Sequence, residues 1–241
     1  NTFLDDVEAQ TPTYLSSAIR IDGTSGPTND IAIGNLNPND DTDLDLIVAQ
    51  TTEIRIVEWR TSQGTFQYRG RSCNTDEVLQ DVENDNLQGQ TPIIGLGELG
   101  GDSNLDLAIA TQFYNEDAPE SSAGELYIIY DILENLGSCG DRQIRVQLEE
   151  NSRNDQISLV DANGDGKIDV STGTNLFLQT EDGFEATALF EATLQEEIDS
   201  YHRRREVHRE AHDWADVDGD GDMDVIITGD EKPARLYLNT S

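Results

Sequence analysis

The chain has 241 residues, enough for one sizeable core and one or two domains. Its 49 acidic residues against 15 basic ones give a formal charge of -34, which repels phosphate and argues against nucleic acid and anionic membrane surfaces as partners. Hydrophobic residues make up 35%, low but above the level of a disordered chain, and no apolar run reaches the roughly 18 residues a membrane helix needs.

Asn1 to Val7 reads as a strand, so any secretory leader is expected to be gone already. Ile31 to Asn37 is an apolar run ending in oxygen-bearing side chains, followed by Asp41-Thr-Asp43-Leu-Asp45 and the strand-like Leu46 to Ala49. Glu53 to Trp59 and a segment opening at Gly64-Thr65-Phe66 continue as strands. The order then recurs. Ile93 to Glu98 leads into Gly101-Asp102-Ser-Asn104-Leu-Asp106 and Leu107 to Ala110, with later strands at Glu125 to Tyr130 and Gln143 to Leu148. Ile157 to Val160 leads into Asp161-Ala-Asn163-Gly-Asp165-Gly-Lys167-Ile-Asp169, with strands at Asn175 to Gln179 and from Gly183-Phe184. The last copy carries Asp216-Val-Asp218-Gly-Asp220-Gly-Asp222-Met-Asp224, then Val225 to Thr228 and a strand at Arg235 to Asn239.

The four copies align on Asp45, Asp106, Asp169 and Asp224, roughly 60 residues apart. A period of that length filled with strands predicts an all-β fold, a β-propeller of four four-stranded blades. The blades fall near 30–72, 91–149, 155–190 and 211–241. The last has three strands, so residues 1–9 are expected to complete it, either closing a ring or joining a neighbouring molecule. Residues 191–210 lack the strand pattern and are rich in helix formers, which predicts a helical or looped insertion on one face.

The acids are not evenly spread. In the third and fourth loops the pattern D-x-[DN]-G-D-G-x-x-D places side-chain oxygens at positions 1, 3, 5 and 9 and a carbonyl at 7, a set that can converge on one Ca²⁺. An EF-hand needs an acid at position 12, where this chain has Thr172 and Ile227, and strands replace the flanking helices. The bland alternative is a solvated acidic turn.

The unit at 214–241, WADVDGDGDMDVIITGDEKPARLYLNTS, resembles an FG-GAP/VCBS repeat, the calcium-binding blade also found in integrin α-subunit propellers. The resemblance is closest at 157–184 and 213–241; Phe-Gly and Gly-Ala-Pro signatures are absent, which places it on the VCBS side. It implies a propeller with Ca²⁺ between the first two strands of a blade. Carried across, the third loop offers Asp161, Asn163, Asp165, the Lys167 carbonyl and Asp169. The fourth offers Asp216, Asp218, Asp220, the Asp222 carbonyl and Asp224. The first, lengthened near Pro38-Asn39, offers Asn35, Asn37, Asp41, the Asp43 carbonyl and Asp45. The second offers Glu98, Asp102, the Asn104 carbonyl and Asp106, with Gly100 lacking a side-chain oxygen.

Cys73 and Cys139 fall in adjacent units, and two cysteines in an exported chain favour a disulfide. Arg203, Arg204, Arg205 and Arg209 lie among Glu196, Glu197, Glu206 and Glu210, which favours local pairing over a docking patch for an acidic partner. His202, His208 and His212 do not form H-E-x-x-H and read as solvated or salt-bridged. No nucleophile elbow, phosphate loop or dinucleotide fingerprint occurs. The expected function is therefore a non-catalytic, secreted or cell-surface calcium-binding module for adhesion to protein or glycan. The alternatives are a structural subunit joined head to tail with further copies by strand complementation, and a polysaccharide lyase or hydrolase on a propeller scaffold.

Overall fold

The computed structural model describes residues 27–37, 43–51, 53–60, 65–74, 92–112, 124–138, 143–147, 156–172, 175–188, 211–229 and 232–239. The predicted N-terminal strand, the insertion at 191–210, Asp41 and Cys139 lie outside the described residues.

The described chain is all-β and forms four separate antiparallel sheets, each an up-and-down meander. The first holds β1 (Thr28–Gly34), β2 (Asp45–Gln50), β3 (Glu53–Arg60) and β4 (Thr65–Asn74). The second holds β5 (Ile93–Gly97), β6 (Asp106–Gln112), β7 (Gly124–Ile129) and β8 (Gln143–Gln147). The third holds β9 (Ile157–Val160), β10 (Asp169–Thr172), β11 (Asn175–Thr180) and β12 (Gly183–Ala188). The fourth has three described strands, β13 (Ala211–Ala215), β14 (Asp224–Gly229) and β15 (Lys232–Tyr237). A single-turn helix α1 (Ile132–Asn135) and the 3-10 turn Leu136–Ser138 follow β7. Ile-Leu-Glu-Asn is too short to display a helical period, so no sequence signal marks it.

Register places each loop at one end of its sheet. Gly34 pairs with Asp45, Gly97 with Asp106, Val160 with Asp169 and Ala215 with Asp224, so every aligned Asp opens a second strand opposite the last residue of the first. The second strands of the first and third sheets are buried on both faces: Asp45–Gln50 and Asp169–Thr172 are buried at every position. Successive sheets meet along their first strands, β1 with β5, β5 with β9 and β9 with β13.

The largest cores lie between sheets. Ile47, Ile54 and Ile56 of the first sheet pack with Leu107, Ile109 and Tyr127 of the second. Ala108, Leu126 and Ile128 of the second pack with Val170, Phe177 and Phe184 of the third. Val160, Ala162 and Leu176 of the third meet Trp214 and Met223 of the fourth. Small residues let the first strands approach. A Cβ on Gly34 would lie 2.6 Å from Leu96, one on Gly95 2.5 Å from Ile157 and one on Gly97 2.6 Å from Leu159. The Asp30 carboxylate ties the first two sheets together by accepting the Ile94 N–H at 2.9 Å. Cys73 is fully buried on β4, which packs on the 3-10 turn ending one residue before Cys139 in the sequence.

His212 departs from the solvated reading. Strand alternation puts it on the face of β13 that carries Trp214, and only 4% of it is exposed. Burial lowers its pKa, opposed by a hydrogen bond to the Ser171 backbone and by Asp213, and its Nε2 has no hydrogen-bond partner.

Candidate metal centre

The second, third and fourth loops between first and second strands share one backbone. In the third loop Gly164 and Gly166 have φ of 75° and 85°, and in the fourth Gly219 and Gly221 have 81° and 100°. Glycine populates this region without a Cβ penalty. The second loop repeats it with Gly101 at 74° and, at the later position, Ser103 at 71°. A left-handed non-glycine residue costs about 1 kcal/mol, so the loop holds its shape even where the glycine pattern has lapsed.

Two positive-φ residues per loop turn alternate side chains inward, where their oxygens accept backbone N–H groups. In the third loop Asp161 accepts from Asp165 at 3.0 Å and Gly166 at 2.8 Å, Asn163 from Asp165 at 3.1 Å, and Asp165 from Lys167 at 2.9 Å. The fourth loop repeats this: Asp216 accepts from Gly219 at 2.7 Å and Gly221 at 3.1 Å, Asp218 from Asp220 at 3.2 Å, and Asp220 from Asp222 at 3.0 Å. In the second loop Glu98 takes the role of the first Asp, accepting from Gly101 and from Asp102, the latter at 3.1 Å, while Asp102 accepts from Asn104 at 2.9 Å. In the first loop Asn35 accepts the Asn37 N–H at 3.0 Å; Asp43 is half-buried.

The ninth position behaves differently. Asp45, Asp106, Asp169 and Asp224 are each at most 2% exposed. One oxygen of each accepts the N–H of the second loop residue: Leu36 at 3.2 Å, Leu99 at 2.6 Å, Ala162 at 2.9 Å and Val217 at 2.8 Å. The other oxygen reaches the exit of the third strand, accepting from Asp131 at 2.8 Å, Gln179 at 2.8 Å and Asn239 at 2.9 Å in the second, third and fourth sheets. The carboxylate that the sequence offers as a ligand is also a staple between the loop and the third strand.

Electrostatics separate the copies. Burial pushes Asp106 and Asp169 above the usual carboxylate range against the pull of these backbone donors. Asp224 makes the same bonds but is lowered, chiefly by the Val217 and Asn239 backbone donors, which outweigh its desolvation. Asp218 is raised by desolvation, opposed by the Asp220 backbone donor and reinforced by Asp220, Asp224 and Asp216.

Ligand atoms of Asp216, Asp218 and Asp224 lie within 4.8 Å of one another, the one such cluster of acids, histidines or cysteines among the described residues. Its oxygen-only donor set suits a hard divalent cation. The structure does not bring the acids of the second and third loops together to that degree. The sequence missed Asp131, whose left-handed backbone (φ 50°) brings its carboxylate to the Asn104 amide beside the second loop. No local pattern marks it, because it comes from a different strand end.

Neither a protein-family model nor a curated protein matches this chain. No helix among the described residues is long and apolar enough to cross a membrane.

Proposed function

We propose that this chain is a non-catalytic, calcium-binding module of FG-GAP/VCBS type, exposed outside the cell, that presents a protein- or glycan-binding surface. The observation that carries the metal reading is the convergence of Asp216, Asp218 and Asp224 within 4.8 Å. Asp220 and the Asp222 carbonyl complete the fourth-loop set, and the shared backbone extends the reading to Asp161, Asn163, Asp165, the Lys167 carbonyl and Asp169. Calcium suits such sites better than magnesium, because it accepts many oxygens in irregular geometry. The ion's role is to neutralise mutually repelling carboxylates and to fix the turn.

Four meanders meeting along their first strands support blades arranged about a common axis, the propeller expected from the repeat. The burial of Cys73 against the turn preceding Cys139 supports a disulfide between them, and with it an oxidising compartment. A second reading, a structural subunit completed by strand addition, is favoured by the three described strands of the fourth sheet beside four in each of the others. Deleting residues 1–10 separates the two, since a strand-joined assembly then falls apart into subunits.

The metal reading is tested by thermal unfolding with calcium and with excess chelator. Calcium at 100 times its dissociation constant stabilises by about 2.7 kcal/mol, a rise in Tm of roughly 5–11 °C for a chain of this size. An identical melting temperature in calcium and chelator refutes it.

A further inference from the structure

We propose that Asn163 is a self-modifying site: its side chain deamidates through the Gly164 nitrogen, and the aspartate formed completes the acid set of the third loop. The first half needs no ion; the second rests on the calcium reading.

Of the chain's asparagines, Asn163 alone precedes a glycine. Both residues are exposed. Gly164 has no side chain to shield its nitrogen, and its surroundings are open: a Cβ there would meet nothing within 4 Å. Asn163 Oδ1 accepts the Asp165 N–H at 3.1 Å, a turn that folds the side-chain carbonyl back over the Gly164 peptide. The same donor faces the oxygen on which charge builds when Cγ is attacked. Among the described residues the Gly164 N–H enters no hydrogen bond, whereas its fourth-loop counterpart, Gly219, donates to Asp216 at 2.7 Å. Other loop asparagines lack this setting. Asn104 precedes Leu105 and gives its amide to Asp102 and Asp131, and Asn37 precedes Pro38, which has no N–H.

The step balances with water alone. The Gly164 nitrogen loses its proton to water and bonds to Asn163 Cγ. The Cγ–Nδ2 bond breaks, and ammonia leaves carrying a proton in its place. Water then opens the imide ring, with no oxidation or reduction. Opening at Cγ restores the backbone and leaves aspartate; opening at the backbone carbonyl leaves isoaspartate, with an extra atom in the main chain.

Aspartate at this position has a template in the same molecule. Position three of the fourth loop is Asp218, one of the three acids whose ligand atoms converge within 4.8 Å. The third loop holds its other acids, Asp161, Asp165 and Asp169, on the same backbone and lacks only that carboxylate. Added ligand charge tightens calcium binding. Isoaspartate weakens it, because it lengthens the chain between Asp161 and Asp165.

Folded protein is incubated with chelator in warm, mildly alkaline buffer, and the tryptic peptide 154–167 is followed by mass spectrometry. The peptide is expected to gain the mass difference between water and ammonia, localised to Asn163. Asn163→Gln, whose longer side chain must close a larger imide ring, is expected to abolish the gain. Calcium titration then compares the unmodified chain with Asn163→Asp, both carrying Asp220→Ala to silence the fourth loop. The aspartate form is expected to bind at least ~10-fold tighter. If that variant misfolds, aged wild type separated by chromatography into its aspartate and isoaspartate forms replaces it. A mass gain absent from the folded protein, or unchanged in Asn163→Gln, overturns the modification. Equal affinity of the two forms overturns the completed acid set. A mass gain with no calcium bound by either form refutes the calcium reading and that second half together, while the modification stands.

Discussion

Replacing Asp169 separates its staple role from its role as a ligand. In Asp169→Ala the N–H groups of Ala162 and Gln179, held at 2.9 and 2.8 Å, lose their acceptor. The buried Ala162 donor left without a partner costs about 1–3 kcal/mol, and the half-buried Gln179 donor less. Removing a carboxylate whose charge is disfavoured by burial returns part of that, leaving a net loss of about 2–4 kcal/mol. For a chain of this size that corresponds to a Tm lower by roughly 4–16 °C. Asp169→Asn retains one acceptor oxygen but turns an N–H₂ toward the second donor, so it keeps most of the loss. The assay is thermal unfolding in excess chelator, which removes any contribution from an ion. Asp165→Ala is the control, because Asp165 is exposed and accepts only within its own loop, from Lys167. It is expected to change stability by about 0.5 kcal/mol or less in chelator and to abolish the calcium-dependent gain of that loop. The reasoning is refuted if Asp169→Ala melts with the wild type in chelator, or if Asp165→Ala is equally damaging there.

His212 has a folded-state pKa below its unfolded value, so the unfolded chain binds the extra proton: stability is full above the unfolded pKa of about 6.5 and falls as pH drops below it. The slope is at most about 1.4 kcal/mol per pH unit from this group, and urea titrations at stepped pH should show it flattened in His212→Leu. Gly95→Val drives a branched side chain into Ile157 across the second and third sheets and should cost about 1–3 kcal/mol; the added Ile157→Ala change should recover part of it, and additive losses in the double variant count against the register. Intact mass of the denatured chain should rise by two hydrogens on reduction if Cys73 and Cys139 are joined, and Cys73→Ser should lose about 2–5 kcal/mol of stability.

The repeat was legible because strands impose a short period and the loops impose fixed spacing. Ile157 to Val160, Asp161 to Asp169 and Asn175 to Gln179 were each identifiable as a strand, a loop and a strand, and the structure places β9, β10 and β11 accordingly. The second loop looked degenerate, since Gly100 and Ser103 break the ligand and glycine patterns. Its backbone is nonetheless that of the third and fourth loops, because Asp106 anchors both its start and the chain at Asp131. Such long-range acceptor geometry leaves no periodic trace. The burial of His212 was hidden for a related reason: alternation along β13 determines which face it takes, but only the packing of the third sheet determines that this face is covered.

The difference between the ninth position and the rest explains which loop residues vary among the four copies. Position one is Asn35, Glu98, Asp161 or Asp216, and position three includes Gly100, whereas the ninth is Asp throughout. The early positions bond N–H groups of their own exposed loop, which water can satisfy when the side chain changes. In the second to fourth copies the ninth serves donors on two separate segments, and only a short carboxylate reaches both with one oxygen each. A loop that loses ion affinity through its early positions therefore keeps its strands paired, provided the last Asp stays. On this basis the first and second loops need no bound cation to hold their sheets. Calcium dependence of stability should then concentrate in the third and fourth sheets, which contribute the smaller apolar junction around Val160 and Trp214.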